Sequence, residues 1–332
     1  MYLDSAREVK ALCLKQQVRP IMARAVGVSA LGVGARSVDA VDDVQRTIAV
    51  GIVPRGKDSY QLAVRVQTRA LENGPQVEAM QKAAKGEVDV RYIGRIVKRA
   101  APWYQCRQQP LLVGTSIGHF NITAGTLGCF VGKGEKKQPR ILSNNHVLAD
   151  ENSGRKGDAI LQPGVYDKGQ RSRDKVGSLD SFIRLNPSGP NHVDCALASI
   201  DEGIPFETGL LKGVGQITGA VGGLPAENEA VHKIGRTTGL TNGRILAFEL
   251  DNVVVSYDLG NLRFDSQIEI EGADDEPFSL GGDSGSLIYD DQRQAVALLF
   301  AGGDHGGKNG KGLTYANPIQ KVFDELDVKL LY

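Results

Sequence analysis

The chain has 332 residues, 41% of them apolar and 23% charged, with 39 Lys+Arg against 39 Asp+Glu. About 100–200 residues per domain suggests two domains, and the composition is that of a folded chain, not a disordered one. No run approaches the ~20 apolar residues of a membrane helix, the opening MYLDSAREVKALCLKQQ mixes acids and bases unlike a secretory signal, and the charge balance argues against nucleic acid as a partner.

The balance conceals a split. Residues 1–110 carry 18 Lys+Arg and 10 Asp+Glu, and residues 111–332 carry 21 and 29. The first part is thus +8 and the second −8, and only 8 of the 41 glycines lie in the first. Two independent shifts at one place predict a domain at 1–109 and another at 110–332, with a linker around Ala100–Pro110.

In chain order, Ser5 with Glu8 fits a capping box, and Val9, Leu12, Cys13 and Gln16 follow at helical spacing. Residues 20–34 read as loop. Thr47–Val53 is apolar and β-branched, Pro54–Ser59 reads as a turn, and Gln61–Gln67 alternates as a half-buried strand, so the two runs predict a hairpin. Pro75–Ala84 reads as a helix stopped by Gly86, and Glu87–Ile93 as another strand. The first part is therefore expected to be a small α+β domain. It has no histidine, phosphate loop or metal-ligand spacing. Its surplus cations, among them Arg91, Arg95, Lys98 and Arg99, offer either a docking surface for an acidic partner protein or ligand, or a nucleic acid, or else a plain solvated face or one matched to the acidic second part.

The second part alternates short β-like runs with Gly-, Asn-, Asp- and Pro-rich turns, which predicts a sandwich or barrels. The runs are Gly125–Val131, Arg140–Asn144, Ala159–Gln162, Val176–Arg184, Val193–Ile200, Gly243–Phe248, Asn252–Tyr257, Phe264–Ile270, Ser286–Tyr289 and Ala295–Phe300. At the end, Asn317 as cap and Pro318 at the first helical position precede Ile319, Val322, Phe323 and Leu326, the spacing of one amphipathic helix. The four cysteines, Cys13, Cys106, Cys129 and Cys195, form no CxxC and are expected to be free thiols in a reducing, cytoplasmic compartment.

Three segments carry chemistry. LSNNHVLA places His146 just past a strand, VDCAL opens a strand with Asp194, and GGDSGS sets Ser284 in a glycine-rich turn. The order His, Asp, Ser is one of the chain orders in which a catalytic triad occurs. A serine hydroxyl is a poor nucleophile at neutral pH, so a histidine must take its proton and an aspartate must fix that histidine's tautomer. The oxyanion of the tetrahedral intermediate needs fixed donors, and the backbone N–H groups of Gly282 and Ser284 are the candidates.

On these residues the second part resembles the trypsin/chymotrypsin-fold serine peptidases, and most of all the cytosolic bacterial trypsin-like peptidases. SNNHVLA stands where that family has its TAAHC-type motif, VDCALA where it has DIAL, and GGDSGS at the nucleophile. GTLGCFV resembles the strand before the histidine, and VHKIGRTTG a second-barrel loop. The resemblance implies a mainly β, chymotrypsin-like double six-stranded β-barrel with a C-terminal helix. It implies a serine endopeptidase acting on protein or peptide substrates through an acyl-enzyme, with no cofactor and no metal.

It also implies a substrate pocket at Phe278, Phe300, Ala301 and Gly302. Phe278 stands where trypsins keep the residue at the pocket base, and an aromatic there argues against Arg/Lys preference. Asp304 and His305 are either pocket groups or loop residues, and His119, His192 and His232 are expected to be structural. In trypsins a freed N-terminus pairs with the aspartate before the nucleophile, here Asp283. No IVGG exists in this chain, so processing or activity without cutting both stay open. Val147 replaces the cysteine that follows the histidine in trypsins and leaves Cys129 without that partner, in keeping with a reducing compartment. The alternative function is a catalytically silent protease-fold binding or scaffold protein, with small-ester hydrolysis a third. The first domain is expected to regulate, as a docking domain or an inhibitory prosegment. Some bacterial relatives activate antiviral defence, a role on which no residue here bears.

Overall fold

The computed structural model describes residues 1–18, 48–94, 96, 101–135, 137–223, 225–226, 228–273, 275–308 and 310–332. They fall into two compact units, Met1–Ala100 and Ala101–Tyr332. The loop expected over residues 20–34, Thr47, and the cations Arg95, Lys98 and Arg99 lie outside the described residues.

In the first unit the helix Leu3–Cys13 starts two residues before Ser5, with Tyr2 as its cap and no side-chain capping bond. The expected capping box is absent. Instead the Met1 carbonyl accepts the Tyr60 N–H at 2.9 Å, so tertiary pairing fixes where the chain enters the helix. Strands Ile48–Gly56 and Ser59–Val66 form an antiparallel hairpin, with Asp58 left-handed (φ 56°) at its tip. The turn is tighter than Pro54–Ser59 suggested, because Pro54 still faces Tyr60 across the ladder. Helix Pro75–Ala83 then crosses over to Val88–Tyr92, which lies parallel to Ser59–Val66. Leu62, Val64, Val66, Val77, Met80 and Cys13 form this unit's own core. Asp89 gathers Arg55, Arg65 and Arg91 around one carboxylate, so part of the positive surplus is internally matched.

The second unit is mainly β. Six strands close a barrel in the order Gln294–Gly302, Leu287–Asp290, Ala230–Gly235, Gly239–Leu250, Gln267–Gly272 and Leu313–Pro318, the last pairing back onto the first. A second sheet runs Val328–Leu330, Cys129–Lys133, Gln138–Ser143, Ala196–Ile200, Lys175–Phe182, Ala159–Leu161, Ser116–His119 and Gly125–Thr126. It curls as a half-barrel whose end strands have no mutual pairing among the described residues. This is the mainly β, chymotrypsin-like two-barrel plan. It differs from the expected double six-stranded barrel in one respect: among the described residues the second sheet is an eight-stranded half-barrel and does not close. A separate hairpin, Val253–Tyr257 with Gly260–Phe264, stands outside both sheets.

Helix Ile319–Leu326 buries Ile319, Val322, Phe323 and Leu326 in a core that strands of both sheets share, as its 3.6-residue period requires. Pro318 is its cap residue, and Asn317 makes no capping bond. The expected Asn317 cap is absent because its buried side chain turns inward, donating to Gln267 Oε1 at 2.7 Å. All four cysteines are free thiols. Among the described residues no helix is long and apolar enough to cross a membrane.

Candidate active site

Register brings the first two candidate residues together. Strands Gln138–Ser143 and Ala196–Ile200 are antiparallel neighbours, with Ser143 opposite Ala196. The short helix Asn145–Leu148 begins just beyond Ser143, and Asp194 lies just before Ala196. His146 and Asp194 therefore leave the same end of one ladder.

Asp194 has no exposed surface. Its Oδ1 accepts the backbone N–H groups of Asn145 at 2.6 Å and His146 at 3.3 Å. Its Oδ2 accepts from His146 Nδ1 at 2.5 Å and from the Tyr257 hydroxyl at 2.6 Å. Its own N–H donates to Asn317 Oδ1 at 2.9 Å, and its carbonyl accepts from Asn144 Nδ2 at 2.7 Å. With Nδ1–H given to Asp194, the neutral imidazole of His146 has Nε2 as its acceptor, the tautomer that a general base requires.

Burial pushes the His146 imidazole toward its neutral form, but the Asp194 charge and hydrogen bond outweigh this, with a smaller contribution from Glu151, so its pKa stands above 6.5. Asp194 is the mirror case. Burial pushes it up, yet its charge interaction and hydrogen bond with His146, and the bond from Tyr257, bring it below the ordinary carboxylate value.

Ser284 lies in a turn stitched to the half-barrel. Thr126 N–H donates to the Ser284 carbonyl at 2.8 Å, and Thr126 Oγ1 to the Gly282 carbonyl at 3.0 Å. A Cβ on Gly125 would meet both Val147 and the Ser284 carbonyl, so the helix carrying His146 and the turn carrying Ser284 converge there. The Ser284 hydroxyl donates to the Phe300 carbonyl at 3.4 Å, and no Ser284–His146 hydrogen bond exists among the described residues. In free enzymes such bonds are often loose and tighten only with substrate. Gly282 is left-handed (φ 96°), a conformation open to glycine at little cost. The N–H groups of Gly282 and Ser284 enter no hydrogen bond within the described residues.

Asp283 is buried and holds this turn in shape. It accepts from the N–H groups of Thr237 at 2.8 Å, Thr238 at 3.1 Å and Leu280 at 2.9 Å, and from Thr238 Oγ1 at 2.8 Å. Its counter-charge is Lys233, whose ammonium is 3.5 Å away with both side chains fully buried. Lys233 also donates to Thr238 Oγ1 and to the Gly239 carbonyl. The VHKIGRTTG segment thus supplies the buried counter-charge to Asp283.

A cavity of about 210 Å³ opens beside Ser284. Ala301 and Gly302 line it, together with Ser279, Leu280, Gly281, Gly303, Asp304 and Lys311. Asp304, a loop residue, borders this cavity, while His305, also in the loop, does not.

The two phenylalanines expected here stand elsewhere. Phe278 is 1% exposed inside the closed six-stranded barrel with Val231, Ile245 and Ile270, its ring 5.8 Å from the Lys233 ammonium. Phe300 packs on Phe264 and Leu262 and turns only its carbonyl toward Ser284. Both rings are worth more in a dry core than lining a wet pocket.

Of the remaining histidines, His119 is 3.2 Å from Asp158, and His232 lies between Asn242 and Asp291. Tyr257, Asn317 and Lys233 were not assigned from the sequence. Each is an ordinary strand or cap residue locally, and nothing in its neighbours announces a partner far along the chain.

No protein-family model matches the chain, and neither does any curated protein. Solved structures do resemble it. Thermobifida fusca protease A is 18% identical with a TM-score of 0.45, over 66% of this chain and 97% of that one. An α-lytic protease homologue is 21% identical with a TM-score of 0.46, over 67% and 100%. A glutamic-acid-specific serine protease described as using a histidine triad in substrate binding is 17% identical with a TM-score of 0.48, over 67% and 100%.

Proposed function

We propose that the second unit is a serine endopeptidase, with Ser284 as nucleophile, His146 as general base and then acid, and Asp194 orienting the imidazole. The observation that carries this reading is the buried Asp194 carboxylate bonded to His146 Nδ1 at 2.5 Å and anchored by two backbone N–H groups. A charge without solvent exposure is costly unless it has work to do or partners to satisfy it. Here its bonds present a basic Nε2 on the helix that converges with the glycine-rich serine turn.

In the reaction Ser284 Oγ would attack the scissile carbonyl while His146 takes its proton. The oxyanion would fall to the Gly282 and Ser284 N–H groups. His146 would return the proton to the leaving amine, and water would then hydrolyse the acyl-enzyme by the same steps in reverse.

The Lys233–Asp283 pair supports a turn that is shaped without cutting of the chain. The free cysteines accord with a reducing, cytoplasmic setting. The first unit would regulate, by docking a partner or by inhibition.

The test is labelling of the full chain with a fluorophosphonate, and cleavage of peptide against ester substrates. Wild type is expected to label and to cut peptides, and Ser284→Ala to do neither. Labelling that survives the substitution removes Ser284 from its role. A wild type that neither labels nor hydrolyses, with its hydroxyl kept on the Phe300 carbonyl, favours the binding or scaffold reading.

A further inference from the structure

Tyr257 belongs to neither barrel. It ends the first strand of the Val253–Tyr257/Gly260–Phe264 hairpin, which among the described residues has no ladder to either sheet. Three contacts fix that hairpin over the candidate site. The Leu259 N–H at its tip donates to Glu151 Oε2 at 3.1 Å. Asn191 N–H donates to the Arg263 carbonyl at 2.8 Å, just ahead of Asp194 in the chain. Phe264 stacks on Tyr257 at 5.9 Å and packs on Phe300 at 4.6 Å, tying the hairpin to the strand beside Ser284.

Held this way, the Tyr257 ring meets the His146 imidazole edge-on at 5.8 Å and 77°. Its hydroxyl reaches Asp194 Oδ2 at 2.6 Å. We propose that Tyr257 is a positioning residue of the triad: its hydroxyl shares Oδ2 of Asp194 with His146 Nδ1–H, and the hairpin carrying it locks the carboxylate in the rotation that orients the base. The proposal rests on the serine-peptidase reading above.

The geometry divides the labour on Asp194. Oδ1 is held by backbone donors of the helix that carries His146, so it moves with that helix. Oδ2 has one fixed donor besides His146, and that donor is Tyr257. Without it, rotation of the carboxylate would be opposed from one side only. The phenol stays a donor throughout, since burial first and the Asp194 charge second hold it protonated well above its ordinary range. The titratable groups around the pair are Asp194 itself, Glu151 from the loop after the helix, Tyr257 from the hairpin and Cys195 beside Asp194.

The experiment follows the ¹⁵N titration of the His146 imidazole by NMR together with the pH dependence of fluorophosphonate labelling at Ser284. It compares the wild-type full chain with Tyr257→Phe. Loss of the hydroxyl leaves the Asp194 charge less shared, so the imidazolium is held more tightly. The His146 midpoint and the acid limb of labelling are expected to move to higher pH together. At neutral pH the labelling rate is expected to fall about ten-fold, as for one hydrogen bond to a charged group.

Uniform 3-fluorotyrosine keeps the bond and strengthens the donor. It is expected to move the midpoint the other way, and it answers the question if the phenylalanine variant does not fold. An unmoved midpoint in both proteins overturns the proposal. So does a slow Tyr257→Phe with a wild-type titration, because packing alone would then explain the loss. A wild type that takes up no fluorophosphonate while the midpoint still shifts sinks the peptidase reading but supports the hold of Tyr257 on the His146–Asp194 pair.

Discussion

Asp194 and His146 depend on each other for their charge states, and the signs are opposite. The Asp194 pKa is lowered, so its contribution to stability is present above the ordinary value of 3.8 and is lost as pH falls through the lower folded value. That of His146 is raised, so its contribution is full below 6.5 and is lost as pH rises through the higher folded value. Catalysis needs the neutral base, so the acid limb of kcat/KM is expected to have its midpoint above 6.5. A midpoint at or below that value would mean that Asp194 does not govern His146. Asp194→Asn reverses the tautomer preference and is expected to cost roughly 10⁴ in kcat, as it does in the trypsin-type triad. Lys233 lends itself to a separate substitution. Lys233→Met leaves Asp283 buried without a counter-charge and is expected to lower unfolding free energy by about 3–5 kcal/mol in urea titrations and to abolish labelling. Full labelling by that variant would show that the turn needs no internal cation.

At the scale of elements, the site is a meeting of loops whose strands were readable and whose contacts were not. The β-like runs at Arg140–Asn144 and Val193–Ile200 are legible because alternation and burial are local properties, and the observed strands are Gln138–Ser143 and Ala196–Ile200. That Ser143 faces Ala196, and so puts His146 beside Asp194, is a matter of register. Local signals also misled. Ser5 and Asn317 have the chemistry of caps, yet one lies inside its helix and the other bonds the Asp194 N–H. A polar side chain takes the best buried partner available, and capping is worth only about 1 kcal/mol. The loop from Gly235 to Gly239 is locked onto the nucleophile turn through Asp283, with little room between them. A Cβ at Gly235 would stand 2.3 Å from Asp283 Oδ1. Gly235→Ala is therefore expected to push Asp283 aside, costing about 1–3 kcal/mol by overpacking and slowing labelling far more than its stability loss explains. Unchanged labelling would mean that the turn tolerates displacement of Asp283.

At the scale of the molecule, neutrality is the sum of a basic and an acidic part. Each unit has a core drawn from its own residues. The second unit expressed from Ala101 onward is therefore expected to fold cooperatively by itself, with a melting transition and fluorophosphonate labelling of its own. Under the regulatory reading its labelling rate differs from that of the full chain. Equal rates and equal partners would leave the first unit without a regulatory role. The charge split predicts that any partner of the first unit is acidic and released by salt. Asp89, which neutralises part of Arg55, Arg65 and Arg91, reduces the surface available for this.

By itself the sequence determined the β-rich class of the second part, the α+β pattern of the first, and His146, Asp194 and Ser284 as candidates in order. Periodicity, turn residues and short motifs are written in neighbouring positions. Only the tertiary structure decided who touches Asp194 and Asp283. Tyr257 lies 63 residues from Asp194 and Asn317 lies 123 away, and Lys233 comes from a different strand than the turn it steadies. It also decided that Phe278 fills a barrel and Phe300 packs on Phe264, because a buried side chain's place is set by the shape and charge of what surrounds it in space.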